Sequence, residues 1–370
     1  MNVALLGFGT VGSSFYELAK RRTDLKVTYV LSRHLRPEIT CITTTDMREI
    51  LRDPTVDIVV EAIGGLHPAY EYVCDAIRAG KHIVTANKHM MVAYFDELLQ
   101  LAQEYQVCIR CTAAAAGGIP WLTAVARAAR IDELVAVEGI LNGTTNHILT
   151  AMSSRGVDYA TALQEAQRAG LAEADPTADV EAWDPMRKLV LSINLAFGVS
   201  VREAEIRRFG ISSIQAADIA AFRKRGLICK LFNRAEKMGD GVISAFVMPT
   251  LFTQTAFQTH VNVSLYGRHI GRQSFSAAGI GPKPSAFSTG SSVLGDCLDI
   301  IDGCSTFYYL KDIRPCVIDN SNVYSQFYYR VGDRTGITER MNVDTVFAKI
   351  NELRQEYPQA FFARLCDSQS

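Results

Sequence analysis

The sequence predicts an α/β domain built on a parallel sheet, followed by an α+β domain. Three observations predict it. A short apolar strand, Asn2–Leu6, runs straight into a glycine-rich turn and a helix. The run Val56–Ala62 (Val-Asp-Ile-Val-Val-Glu-Ala) is almost continuously apolar, the mark of a strand covered on both faces. Strand and helix signals then alternate to about residue 115, and strands separated by helices of this length imply right-handed crossovers and a parallel sheet.

The elements follow in order. Val11–Ala19 has helical spacing and Leu25–Leu31 alternates with β-branched residues. After the Val56–Ala62 strand, Pro68–Ala79 is helical, His82–Thr85 a strand, Val92–Glu104 a helix and Val107–Arg110 a strand. Beyond Gly117-Gly118-Ile-Pro120 the texture changes. Trp121–Ala129 reads as a helix and Leu134–Leu141 as a strand ended by Asn142-Gly143. From Thr144 to about Gly226 the pattern is mostly helical, and Val242–Phe275 returns to alternation, clearest at Val261–Tyr266. Gly279–Pro284 reads as a loop and Ser291–Ile301 as a helix. The expected organisation is a dinucleotide-type domain over 1–115, completed by a helix near 288–303, a second domain over 116–287, and a C-terminal extension over 304–370.

Composition bounds the function. The chain has 370 residues, 48% hydrophobic and 21% charged, with 38 Lys and Arg against 39 Asp and Glu, a formal net charge of -1. The first figures fit a folded globular chain of two or three domains. The balance of charge gives no footprint for nucleic acid or an anionic membrane. No run approaches the ~18 apolar residues that would span a bilayer. The N-terminus lacks a basic region before its apolar stretch, so no signal peptide is expected. Nine cysteines are too sparse for a disulfide scaffold, and a reducing cytoplasm is the expected setting. Cys108 and Cys111 form a C-x-x-C, but in a strand residues three apart point to opposite faces.

Gly7-Phe-Gly9-Thr10-Val11-Gly12 is a G-x-G-x-x-G turn between strand and helix. The first glycine permits the tight turn, the second admits a pyrophosphate, and the third lets helix and strand pack closely; this is the Rossmann-type dinucleotide fingerprint. The second strand ends Ser32-Arg33-His34, with no acid to hold ribose hydroxyls and Arg33 where a 2′-phosphate would lie, which favours NADP over NAD. The densest polar chemistry is Glu173 to Lys188. Asp175-Pro176 reads as a helix start. Asp184 and Lys188 are four apart and share a helix face. A carboxylate beside an ammonium can hold a hydroxyl or carbonyl and move its proton. A capped helix with a surface ion pair, Asp184 itself the cap before Pro185, explains the same residues without chemistry. The histidines are scattered and lack metal spacing.

Ordered matches over roughly 1–300 resemble the homoserine dehydrogenase family. They are the glycine turn, Asp57-Ile-Val-Val-Glu-Ala-Ile63-Gly64-Gly65, Gly80-Lys-His-Ile-Val-Thr85-Ala86-Asn87-Lys88, Gly117-Gly118-Ile119-Pro120, Asn142-Gly143-Thr144-Thr145-Asn146, Glu173 through Lys188, and Gly279-Ile-Gly281-Pro-Lys-Pro284. The resemblance implies reversible reduction of L-aspartate 4-semialdehyde to L-homoserine with NADPH, on an amino-acid biosynthetic route to threonine and methionine. It implies that Gly7, Gly9, Thr10, Val11 and Gly12 hold the pyrophosphate and that Ile63, Gly64, Thr85 and Asn87 lie along the cofactor. Lys88 and Lys188 would face the reacting carbon, with Asp184 on the substrate hydroxyl, Glu173 on its ammonium, Asp179 in support, and Gly143 and Thr144 forming a backbone turn beside it. A homodimer through sheet residues near Leu134–Leu141 and Val242–Tyr266 is also implied.

The chain departs from the family at several places. Thr112 stands where a glutamate usually supports a monovalent cation, leaving the backbone of Ala115, Gly117 and Ile119 as the remaining sodium ligands. Leu171 replaces an aromatic residue, Ala182 a glycine, and Pro185 follows Asp184. These changes keep open a related enzyme acting on another amino-acid semialdehyde or hydroxy amino acid. A non-catalytic nucleotide sensor on the same fold is the further alternative. Tyr328–Gly336 resembles the start of an ACT-type regulatory domain, but too few residues follow for a complete one.

Overall fold

The computed structural model describes every residue except 35, 257–262, 276–283, 305–312 and 367–370, and the side chains of 284–286 are likewise left aside. The chain forms two compact units. One is Met1–Ile131 with Asn194–Ser200 and Ala277–Ile313; the other is Asp132–Ile193 with Val201–Ser276 and Arg314–Ser370.

The first unit contains β1 (Asn2–Leu6), α1 (Thr10–Ala19), β2 (Lys26–Leu31), β3 (Ile42–Thr44), α2 (Met47–Arg52), β4 (Ile58–Glu61), α3 (Ala69–Arg78), β5 (His82–Thr85), α4 (Lys88–Ala93), α5 (Phe95–Glu104), β6 (Ile109–Arg110) and α6 (Trp121–Ala129). Its strands lie in the order β3-β2-β1-β4-β5-β6, all parallel. The order reverses between β1 and β4, and ligands of open α/β sheets bind outside the carboxyl ends of the strands at that point. Val3, Leu5, Val30, Ile58, Val60 and Val84 share one core with Phe15 of α1 and with Val293 and Cys297 of the helix Pro284–Ile301. That helix crosses α1 closely. A Cβ on Gly290 would come within 2.9 Å of the Phe15 nitrogen and the Ser14 Cβ, so only glycine allows the approach. It is also tied to β6, where the Arg110 Nε donates to Asp296 at 3.2 Å and the same guanidinium pairs with Asp299. Burial pushes the Asp296 carboxyl up to about 6 in spite of that guanidinium. The helix expected over Val92–Glu104 is two helices, broken at Tyr94.

The second unit contains β7 (Leu134–Gly139), α7 (Gly143–Arg155), α8 (Tyr159–Arg168), α9 (Thr177–Val180), the start of α10 (Trp183–Phe197), β8 (Arg207–Arg208), α11 (Ala216–Lys224), β9 (Leu227–Gly239), β10 (Val242–Thr253), β11 (Val263–Gly267) and β12 (Gly271–Phe275). After residue 313 come β13 (Val317–Ile318), β14 (Tyr324–Ser325), β15 (Phe327–Val331), β16 (Arg334–Ile337), β17 (Met341–Asn342), a helix at Val343–Glu356 and β18 (Phe361–Leu365). The mixed sheet runs β12-β11-β7-β9-β10-β18-β15-β16, with β8 and β13 also on β10. Its spine is the antiparallel pair β9–β10, in register from Leu227↔Thr253 to Lys237↔Ile243. The tail is built into this sheet. Asp218, fully buried on α11, accepts the Arg330 Nε at 2.9 and 3.1 Å and the Tyr328 hydroxyl at 2.8 Å. The expected loop at Gly279–Pro284 lies almost entirely outside the described residues, as do Val261 and Asn262 of the expected strand.

Candidate active site

The first unit carries the glycine turn. Gly7 has φ +93°, and a Cβ there would lie 2.7 Å from the Ala62 carbonyl oxygen. A Cβ on Gly12 would lie 2.2 Å from the Gly7 oxygen, so the third glycine is demanded by turn-to-helix contact. A Cβ on Gly9 would meet open space. This is the division of labour expected of the motif, with the middle glycine facing a ligand. Thr10 and Val11 open α1, whose first N–H groups and positive dipole end suit a phosphate.

Beyond β2, the Ser32 hydroxyl donates to the His34 carbonyl at 2.9 Å and accepts the His34 N–H at 3.3 Å, a tight turn that leaves Arg33 and His34 exposed. The loops after β4 and β5 sit side by side in the sheet. Ile63 is 38% exposed and Gly64 has φ +81°. Thr85 and Asn87 are buried. The Asn87 carboxamide caps α4 by accepting the Met90 N–H at 3.1 Å and donates to the Gly65 carbonyl at 2.7 Å. Lys88 is the first residue of that helix. Glu61, unremarked as a site residue from sequence, is wholly buried between the two loops.

In the second unit the acidic stretch folds around the start of α7. Asp184 is not a helix cap: it lies inside the first turn of α10, and its Oδ2 is 2.7 Å from the Lys188 Nζ. Lys188 also donates to the Leu141 carbonyl at 2.9 Å. Asn142 caps α7, accepting the Thr145 N–H at 2.8 Å, and its amide donates to Asp179 at 2.6 Å and to Asp184 at 2.8 Å. Both amide hydrogens are thus spent on carboxylates. Thr144 donates to the Leu171 carbonyl at 2.7 Å, and Gln167 donates to the carbonyls of Glu173 and Ala174. These bonds fix the loop on which the exposed Glu173 side chain sits. Ala182 has φ +64°, a conformation that suits glycine. Sequence reading had Gly143, Thr144, Asp179, Asp184 and Lys188 but passed over Asn142. Its signal was present: an Asn one residue before a helix is the preferred cap.

Residues 7–111 match the family model described as Homoserine dehydrogenase, NAD binding domain, and residues 120–298 match the one described as Homoserine dehydrogenase. The chain is 39% identical to Homoserine dehydrogenase of Corynebacterium glutamicum over 318 residues, 80% of this chain and 71% of the relative. It is 33% identical to that of Bacillus subtilis over 369 residues, 94% of this chain and 85% of the relative. It belongs to the homoserine dehydrogenase family. A crystal structure of a homoserine dehydrogenase from Thiobacillus denitrificans superposes with a TM-score of 0.85 at 28% identity, covering 99% of this chain and 98% of that one. One from S. aureus superposes with a TM-score of 0.72 at 28% identity, covering 95% and 87%.

A homoserine dehydrogenase is an NAD(P)-dependent oxidoreductase acting on a CH–OH group, and the first unit supplies its nucleotide-binding sheet. The residues expected around a sodium ion have other partners as well. Thr112 offers no charge; its N–H donates to Asp296 at 2.8 Å and its hydroxyl to the Ser292 carbonyl at 3.5 Å. The Ile119 carbonyl accepts the Trp121 N–H at 2.7 Å. No group of three or more His, Cys, Asp or Glu suited to a metal occurs among the described residues.

Proposed function

We propose that this homoserine dehydrogenase prefers NADP and interconverts L-aspartate 4-semialdehyde and L-homoserine in the cytoplasm as a homodimer. The observation that carries the chemistry is the bonded set Asp184, Lys188 and Asn142. The cofactor, when bound, supplies or takes the hydride at the substrate carbon. The chain's own groups handle the oxygen. In reduction, negative charge builds on the aldehyde oxygen, and the Lys188 ammonium stabilises that charge and gives up a proton to it. Asp184 orients the ammonium and accepts from the product hydroxyl. Lys88 contributes a second cation, and Glu173 holds the substrate ammonium through opposite charge. Gly143 and Thr144 present backbone to the substrate at the N-terminus of α7.

NADP preference rests on Arg33 and on the absence of an acidic residue where β2 ends at Ser32-Arg33-His34. The buried thiols of Cys74, Cys108, Cys111, Cys229 and Cys297 suit a reducing cytoplasm. The deciding experiment is a panel of semialdehydes and hydroxy amino acids assayed with NADPH and NADH, or their oxidised forms. Aspartate semialdehyde with NADPH is expected to lead. A different hydroxy amino acid leading would move the assignment to a related substrate, and Leu171 and Ala182 are where such a change would originate.

A further inference from the structure

Glu61 ends β4 with a side chain that is 0% exposed, in a strand whose other residues are Ile58, Val59 and Val60. A carboxylate in such a place must be held by donors, since burying it bare is prohibitively costly. Its Oε1 accepts the N–H of Ile63 at 2.9 Å, the N–H of Gly64 at 3.0 Å and the Asn87 amide at 3.5 Å. Its Oε2 accepts the Thr85 hydroxyl at 2.5 Å, and that hydroxyl oxygen in turn accepts the Asn87 N–H at 2.9 Å. One carboxylate therefore collects donors from two neighbouring loops at the carboxyl edge of the sheet: the turn after β4 and the turn after β5 that starts α4 at Lys88.

We propose that Glu61 is the positioning residue of the cofactor site. It touches neither cofactor nor substrate. It sets the path of Ile63–Gly64 and, through Thr85 and Asn87, the place of Lys88. The inference rests on the reading that these loops line the cofactor. Bonds from N–H groups to a carboxylate are shorter and stronger than neutral ones, so one buried acid can hold two short loops together.

The test uses the full chain and three variants. Glu61→Ala leaves the donors of Ile63, Gly64 and Thr85 without their acceptor. Glu61→Gln keeps an amide oxygen for the two backbone N–H groups and turns its NH2 toward the Thr85 hydroxyl. Val60→Ala, in the same strand, matches a loss of stability without touching the loops. NADPH binding by fluorescence is expected to weaken at least ~30-fold in Glu61→Ala, and to return to within ~5-fold of wild type in Glu61→Gln. Val60→Ala should bind normally at a comparable fall in Tm. Amide hydrogen exchange of cofactor-free Glu61→Ala should rise over residues 62–65 and 85–88 and not in β1. Glu61→Ala binding NADPH within twofold of wild type, or Val60→Ala weakening it equally at matched Tm, would overturn the proposal. Binding is scored without turnover, so a wild-type protein that bound NADPH but reduced no semialdehyde would count against the reaction assignment alone.

Discussion

The Lys188 ammonium stands 2.7 Å from the Asp184 carboxylate, one helical turn away on α10, and 2.9 Å from the Leu141 carbonyl. The pair is mostly buried, with 17% and 10% of the side chains exposed, so it is not an ordinary surface i,i+4 contact. Replacing Lys188 by Ala should cut kcat/KM by at least ~10²-fold with little change in NADPH affinity. Asp184→Asn should act in the same direction. Steady-state kinetics beside a cofactor-binding titration separates the two effects.

Asn142 joins Asp184 to Asp179. Asn142→Ala should cost about 1–2 kcal/mol of stability for the lost cap, and at least ~10-fold in kcat/KM for the loosened Asp184. Asn142→Asp keeps an oxygen for the Thr145 N–H but sets a third carboxylate against two others. Its activity should fall as far as that of the alanine variant or further. Full activity in Asn142→Asp would show that capping, not orientation, is the residue's task.

Ala182 holds φ +64° immediately before α10. An L-residue there costs about 1–2 kcal/mol, whereas the buried methyl returns about 0.8 kcal/mol. Ala182→Gly should therefore leave stability unchanged or raise it by up to about 1 kcal/mol. Ala182→Val should lower it by more than about 2 kcal/mol, since a β-branched residue tolerates this conformation least. Denaturant unfolding of the three proteins measures both.

Arg33→Ala should weaken NADPH at least ~10-fold while leaving NADH within about twofold, because only NADPH carries the 2′-phosphate a guanidinium would hold. Equal losses for both cofactors, read by fluorescence titration, would remove Arg33 from the recognition of that phosphate.

Lys230, on β9, donates to Asn146 and Thr150 at 2.6 Å each, and burial pushes its ammonium down to about 8 from the ordinary 10.5. Between these two values the unfolded chain binds a proton that the folded chain does not. The residue's contribution to stability therefore rises as pH goes from about 8 to 10.5 and is flat below. The change amounts to about 3 kcal/mol across the window. Lys230→Met lacks this term, so wild type should gain on the variant between pH 7.5 and 10 in paired urea titrations.

What sequence could show depended on where the determining contacts lie. Most strands of the first unit were legible because they are apolar from their own residues: His82–Thr85 has the expected bounds, and so does the helix Trp121–Ala129. The long strand β9 was not singled out. Lys230, Asn233, Arg234, Glu236 and Lys237 blur its alternation, and most are buried or half-buried only because partners come from far along the chain, as Glu138 does for Arg234. The short β3 was missed because three residues make no pattern. In the site, Asp184 and Lys188 were legible from their spacing. Their connection to Asn142, some forty positions earlier, exists only after folding, and the same holds for Glu61 gathering donors from a neighbouring loop.

β18 lies in the interior of its sheet, between β10 and β15, with Thr250 facing Arg364 and Phe327 facing the same residue from the other side. The parallel sheet likewise waits for a helix that ends at Ile301. Each sheet is therefore completed by an element that lies well downstream of the strands it joins. Until β18 is in place the Thr250–Leu251 end of β10 lacks its parallel neighbour, and an uncovered strand edge invites pairing with another chain. Contacts of long sequence separation therefore govern the assembly of both units, which slows folding.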